Sequence, residues 1–132
     1  MKGTCLCEAV TVEASESKEF EACHCGICRR WGGGPLLAVH CGNNAAFTGN
    51  ESIATFASSD WAERGFCKNC GTHIFYHLKP TDEYIIPLGL FQSEGNFVFK
   101  GQVFIDQKPS FYEFSNQTEN LTEREVFEKF GA

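Results

Sequence analysis

The sequence predicts a mostly β fold stapled by metal, and three observations predict it. Seven of the eight cysteines fall into three tight groups. Short runs rich in Val, Ile, Phe and Tyr recur along the chain, broken by Gly, Asn and Pro. A helix-start signal stands near the C-terminus. At 132 residues the chain fits one domain, spanning residues 1–132, with a modest core.

The elements follow in order. Residues 8–13 alternate polar and apolar side chains, as a half-buried strand does. Residues 36–40 form a short apolar run, and residues 52–57 and 72–77 read as further strands. Residues 83–88 and 96–106 are the strongest strand candidates, because β-branched and aromatic side chains suit a pleated surface. Turn residues separate them at Gly42-Asn43-Asn44, Gly49-Asn50, Lys79-Pro80 and Gly95-Asn96. Residues 115–120 are polar. Thr122-Glu123-Arg124-Glu125 then has capping-box spacing, which predicts a short helix to about Phe130 with Gly131 as its stop.

The cysteine groups are Cys5 and Cys7 (C-x-C), Cys23, Cys25 and Cys28 (C-H-C-G-I-C), and Cys67 and Cys70 (C-K-N-C-G), with Cys41 apart. Thiolates one or two residues apart can point at one ion, and tetrahedral zinc favours such spacing. A disulfide framework calls for a secreted chain, yet MKGTCLCEAV has no apolar signal core. Cysteines two residues apart also meet disulfide geometry poorly. An iron–sulfur cluster suits a division into four and three less well. Two pairs make one closed site and the triplet makes a site with one position open. If the first and last groups share an ion, it ties together segments roughly sixty residues apart, with zinc worth on the order of 10 kcal/mol to folding. Cys41 or a histidine can alternatively close the triplet.

The formal charge of −6 argues against nucleic acid, since thiolate-bound zinc only adds negative charge and phosphate would be repelled. No apolar run reaches the length of a membrane span. Free thiolates fit a reducing, cytoplasmic setting.

Arg29-Arg30-Trp31-Gly32-Gly33-Gly34-Pro35 follows the triplet directly. Its arginines can clamp carboxylates, and its glycine amides can approach a ligand closely. Arg30 with Gly32, Gly33 and Gly34 are the candidate substrate contacts. Three thiolates leave zinc a weak Lewis acid, poor at making hydroxide and well suited to a fourth soft ligand such as a substrate thiol. Strand alternation sends the His24 ring away from Cys23 and Cys25, to a structural or solvent-facing place. His73 and His77 lie on one face of their strand and read as structural. Cys41 reads as a small buried hydrophobe.

Gly3-Thr4-Cys5-Leu6-Cys7 with Val10, Cys23-His24-Cys25-Gly26-Ile27-Cys28-Arg29-Arg30, Ser58-Ser59, and Arg64 to Thr72 through Cys67-Lys68-Asn69-Cys70 together resemble the glutathione-dependent formaldehyde-activating enzyme (Gfa-like) family. Val103-Phe104-Ile105-Asp106-Gln107-Lys108-Pro109-Ser110-Phe111-Tyr112 resembles its closing segment, with Gln102 where relatives often have His and Phe111 where Trp is common. The resemblance implies the Gfa-like fold of coiled or tent-like β-sheets. It implies two zinc ions per chain, a structural one at Cys5, Cys7, Cys67 and Cys70 and a catalytic one at Cys23, Cys25 and Cys28. It also implies glutathione as cosubstrate and carbon–sulfur lyase chemistry on a thiol adduct of a small aldehyde. The competing reading is a non-enzymatic, zinc-stabilised protein-binding module on the same scaffold.

Overall fold

A computed structural model describes residues 1–92 and 95–130. In chain order the elements are β1 (Lys2–Thr4), β2 (Thr11–Glu13), β3 (Glu19–Cys23), α1 (Gly26–Gly32), β4 (Leu36–Gly42), β5 (Ala46–Thr48), β6 (Ile53–Ala57), β7 (Ala62–Cys67), β8 (His73–Leu78), β9 (Glu83–Pro87), β10 (Val98–Val103), β11 (Glu119–Leu121) and α2 (Glu123–Phe130). The chain is mostly β with a short C-terminal helix, as its patterning implies. Gly131, the expected helix stop, lies outside the described residues.

The chain divides into two compact units. One comprises Met1–Lys18 and Val39–Phe97; the other comprises Glu19–Ala38 and the chain from Val98 onward. In the first unit β1, β2 and β5 form a small antiparallel sheet. The strand expected over residues 8–13 shrinks to Thr11–Glu13, because Glu8 takes a left-handed turn conformation (φ 68°) just after the first cysteine pair. Val10 and Val12 are buried there. Gly49 must be glycine: its φ is +83°, and a Cβ would strike the Ala9 carbonyl oxygen. Strands β6 to β9 form an antiparallel meander. Ile74, Ile86, Leu90 and Phe91 fill the core of this unit, with Phe47, Phe75 and Tyr84 in edge and tilted ring contacts beside them.

In the second unit β10 runs parallel to both β3 and β11, while β3 pairs antiparallel with the start of β4. Phe20 stacks on Phe99 at 4.8 Å, and Phe114 meets Phe99 edge-on at 5.1 Å. The capping box forms as its spacing implies: Glu125 N–H donates to Thr122 Oγ1 (3.2 Å), and Thr122 N–H donates to Glu125 Oε1 (2.9 Å). Asp106 adds a further acceptor for the Glu123 amide at 2.9 Å.

Two cysteine centres and an adjoining cavity

The first centre lies within the first unit. Cys5 follows β1, Cys7 sits in the turn after it, Cys67 ends β7 and Cys70 lies in the turn beyond. That turn is closed by Gly71 N–H donating to the Cys67 carbonyl (2.7 Å) and Cys67 N–H donating to the Thr72 carbonyl (2.8 Å). The four Sγ atoms lie within 4.8 Å of one another. Two of their separations are 3.6 Å (Cys5–Cys7) and 3.7 Å (Cys7–Cys67). Four sulfurs around zinc at about 2.3 Å would stand about 3.8 Å apart, so the donor set fits that ion. Val10 N–H donates to Cys5 Sγ at 3.3 Å. The Thr72 hydroxyl lies 3.1 Å from Cys70 Sγ and, with the Thr72 amide, pulls that thiol down to about 5.

The second centre lies within the second unit. Cys23 is the last residue of β3, in register with Leu36 on β4 and Val103 on β10. Cys25 is the N-cap of α1, and its sulfur accepts the Cys28 amide at 3.3 Å. Cys28 is buried inside that helix. A helix of seven residues turns Cys28 back toward Cys23 and Cys25. The three Sγ atoms lie within 4.8 Å of one another, and among the described residues no fourth Cys, His, Asp or Glu joins them. Three sulfurs this close cannot all be anions without a cation among them. Hydrogen bonds from Cys23 and Cys28 hold the Cys25 thiol far down, at about 2, while Cys25 and Cys28 together with burial push Cys23 up. A divalent ion relieves that conflict, and the donor set fits zinc with one position left over. Cys41 belongs to neither group. Burial raises its thiol to about 11, and it donates to the carbonyl of Val39 (3.6 Å).

His24, between two of these sulfurs, is fully buried. Burial lowers its pKa, though the bond to Gln102 works the other way, so the ring is neutral. Its Nε2–H donates to Gln102 Oε1 (2.7 Å), and Nδ1 accepts the Tyr112 hydroxyl (2.7 Å). Gln102 in turn donates to Thr118 Oγ1 (3.0 Å), which donates to Asn120 Oδ1 (2.7 Å). The triplet segment is tied down further by His24 N–H to the Val103 carbonyl (3.1 Å) and Gly26 N–H to Gln107 Oε1 (3.0 Å). Elsewhere, His77 lies against Glu63 Oε1 (3.2 Å) and Asp82 Oδ1 (2.7 Å) and stacks on Tyr84.

A cavity of about 460 Å³ is lined by Arg29, Gly33, Gly34, Pro35, Phe111, Tyr112, Glu113 and Phe114. Two of the expected contact residues, Gly33 and Gly34, are in its wall. Arg30 is exposed and, like Gly32, is not; Arg29 takes the place expected of Arg30, with its Nε–H on the His24 carbonyl (3.0 Å). Sequence reasoning gave no role to Gln102, Tyr112 or Phe114. They lie 78 to 90 residues beyond His24, so only the fold reveals their meeting.

Over residues 1–107 the chain matches the family described as glutathione-dependent formaldehyde-activating enzyme. The chain belongs to this family. A relative within reach of this Gfa-like chain is an uncharacterized lyase of Schizosaccharomyces pombe, 39% identical over 127 residues, covering 95% of this chain and 93% of the relative. The fold is also similar to the crystal structure of a Rhodobacter sphaeroides protein (TM-score 0.61, 24% identity, 72% of this chain and 91% of that one). Among the described residues no helix is long and apolar enough to cross a membrane.

Proposed function

We propose that this Gfa-like chain is a zinc-dependent lyase that makes or breaks the carbon–sulfur bond of a glutathione, or similar thiol, adduct of a small aldehyde. The observation that carries the reading is the division of the sulfurs into a group of four and a group of three. The group of four is the structural centre and the triplet the catalytic one. When bound, zinc on the triplet supplies an open position that takes a thiol and keeps it ionised.

The chain's own residues do the rest. Cys23, Cys25 and Cys28 hold the ion on a strand end and a helix, which are stiffer supports than a loop. Gln102 and Tyr112 fix the His24 ring and, through it, the segment between Cys23 and Cys25. Arg29 bonds the same segment through its Nε–H on the His24 carbonyl and so ties the cavity wall to the triplet. Family membership and the lyase relative support the reaction class. The charge of −6 and the absence of a long apolar helix among the described residues fit a small-molecule enzyme of the cytoplasm.

The test is titration of cobalt-substituted protein with glutathione. The thiolate-to-metal band should gain intensity with glutathione and stay unchanged with its S-methyl form, and binding should release a proton. A spectrum indifferent to millimolar glutathione would overturn the proposal and leave the protein-binding module in its place.

A further inference from the structure

The cavity beside the triplet has a composition that glutathione does not explain. The tripeptide carries two carboxylates and an ammonium group. The cavity walls are three aromatic rings, a proline, two glycines and only two charged side chains of opposite sign. Both charges already have partners: Arg29 Nε bonds the His24 carbonyl at 3.0 Å, and Glu113 lies 3.4 Å from Lys108 Nζ. At about 460 Å³ it has the size of a ligand pocket and far exceeds a one-carbon group, which is of the order of a water molecule, about 30 Å³. Phe111 is 81% exposed on its rim and meets Tyr112 edge-on at 5.8 Å. The aromatic wall, Phe111 to Phe114, lies past residue 107, where the match to the family model ends.

The cavity is nevertheless tied to the triplet. Arg29 follows Cys28, and both Arg29 and Tyr112 hydrogen-bond to His24, which stands between Cys23 and Cys25. We propose that this cavity binds the aldehyde-derived side of the thiol adduct, and that its proper occupant is an apolar, aromatic-sized group rather than a single carbon. The inference rests on the thiol-adduct reading and narrows its substrate class.

Gly34 gives a clean way to test it. A Cβ there meets nothing within 4 Å and its φ is not positive, so a side chain enters the open cavity without backbone strain. The probes are 2-phenylethanol and methanol, unreactive stand-ins for an apolar aldehyde and a one-carbon one. They would be titrated into the zinc-loaded full-length protein and followed by amide NMR. The expected result is saturable shifts at Gly33, Gly34 and residues 111–114, with 2-phenylethanol binding at least about tenfold tighter than methanol, as burial of a ring implies. Gly34→Leu should weaken 2-phenylethanol at least about tenfold while distant amides keep their positions, which shows the fold intact. Equal binding of the two alcohols, shifts elsewhere, or indifference to Gly34→Leu would overturn the inference. A cobalt spectrum that answers to glutathione alongside any of those results sinks this inference alone. A silent spectrum with a Gly34-dependent alcohol site sinks the thiol reading and leaves the cavity's preference standing.

Discussion

His24 has no contact with water, so both of its ring nitrogens must find partners inside the protein. It finds them in Gln102 and Tyr112, and the direction of every bond in the chain to Asn120 follows from Gln102 accepting at one end of its amide and donating at the other. Leucine at position 102 would keep the volume and remove both bonds. Gln102→Leu should therefore cost about 1–3 kcal/mol, the penalty of a buried ring N–H without an acceptor. A urea midpoint that falls at unchanged slope would show it; an unmoved midpoint would mean that the ring finds another partner. Alternation of Cys23, His24 and Cys25 along an extended segment foretold that the ring would turn away from the sulfurs. That it would end in a closed polar network was hidden, because its partners are supplied by tertiary structure alone.

At the scale of elements, the readable parts were those whose signal is local. The spacing of the cysteines, the apolar runs that became β4, β6, β8 and β9, and the Thr122–Glu125 box each carry their own pattern. Strand β7 does not. Its Ala-Glu-Arg-Gly-Phe-Cys sequence buries Arg64, which stacks on Tyr76 and donates to Ser58 Oγ, and the charge conceals an inward position. Helix α1 is too short for a helical period to show, and two of its seven residues are glycine. Strand β3 takes its place from β10, far along the chain, and β1 and β11 are three residues each, too short to show a period. The capping box offers the direct test at this scale. Thr122→Ala removes one of its two reciprocal bonds and should cost about 1 kcal/mol. The amide of Val126, which donates to the Thr122 carbonyl at 2.9 Å, should exchange its hydrogen several times faster while the β10 amides keep their rates. Equal acceleration in both places would mean that α2 does not open by itself.

For the molecule as a whole, the division of labour between the two centres predicts an asymmetry. The protein should carry about two zinc ions and be colourless, since zinc is d¹⁰. Cys70→Ser should cripple folding, because its centre joins segments far apart in sequence. Cys25→Ser should stay folded with one zinc. Metal analysis beside near-UV circular dichroism tests the pair, and equal loss of structure from both variants contradicts the assignment of one structural and one catalytic ion. The first centre also has two unlike sides. Cys5 and Cys67 are buried, whereas Cys7 is exposed next to Leu6, itself 86% exposed. With an ion bound, Cys7 would be the sulfur that a chelator, a competing metal or an oxidant reaches first. A zinc ion in this centre would therefore stand open to exchange on the Cys7 side.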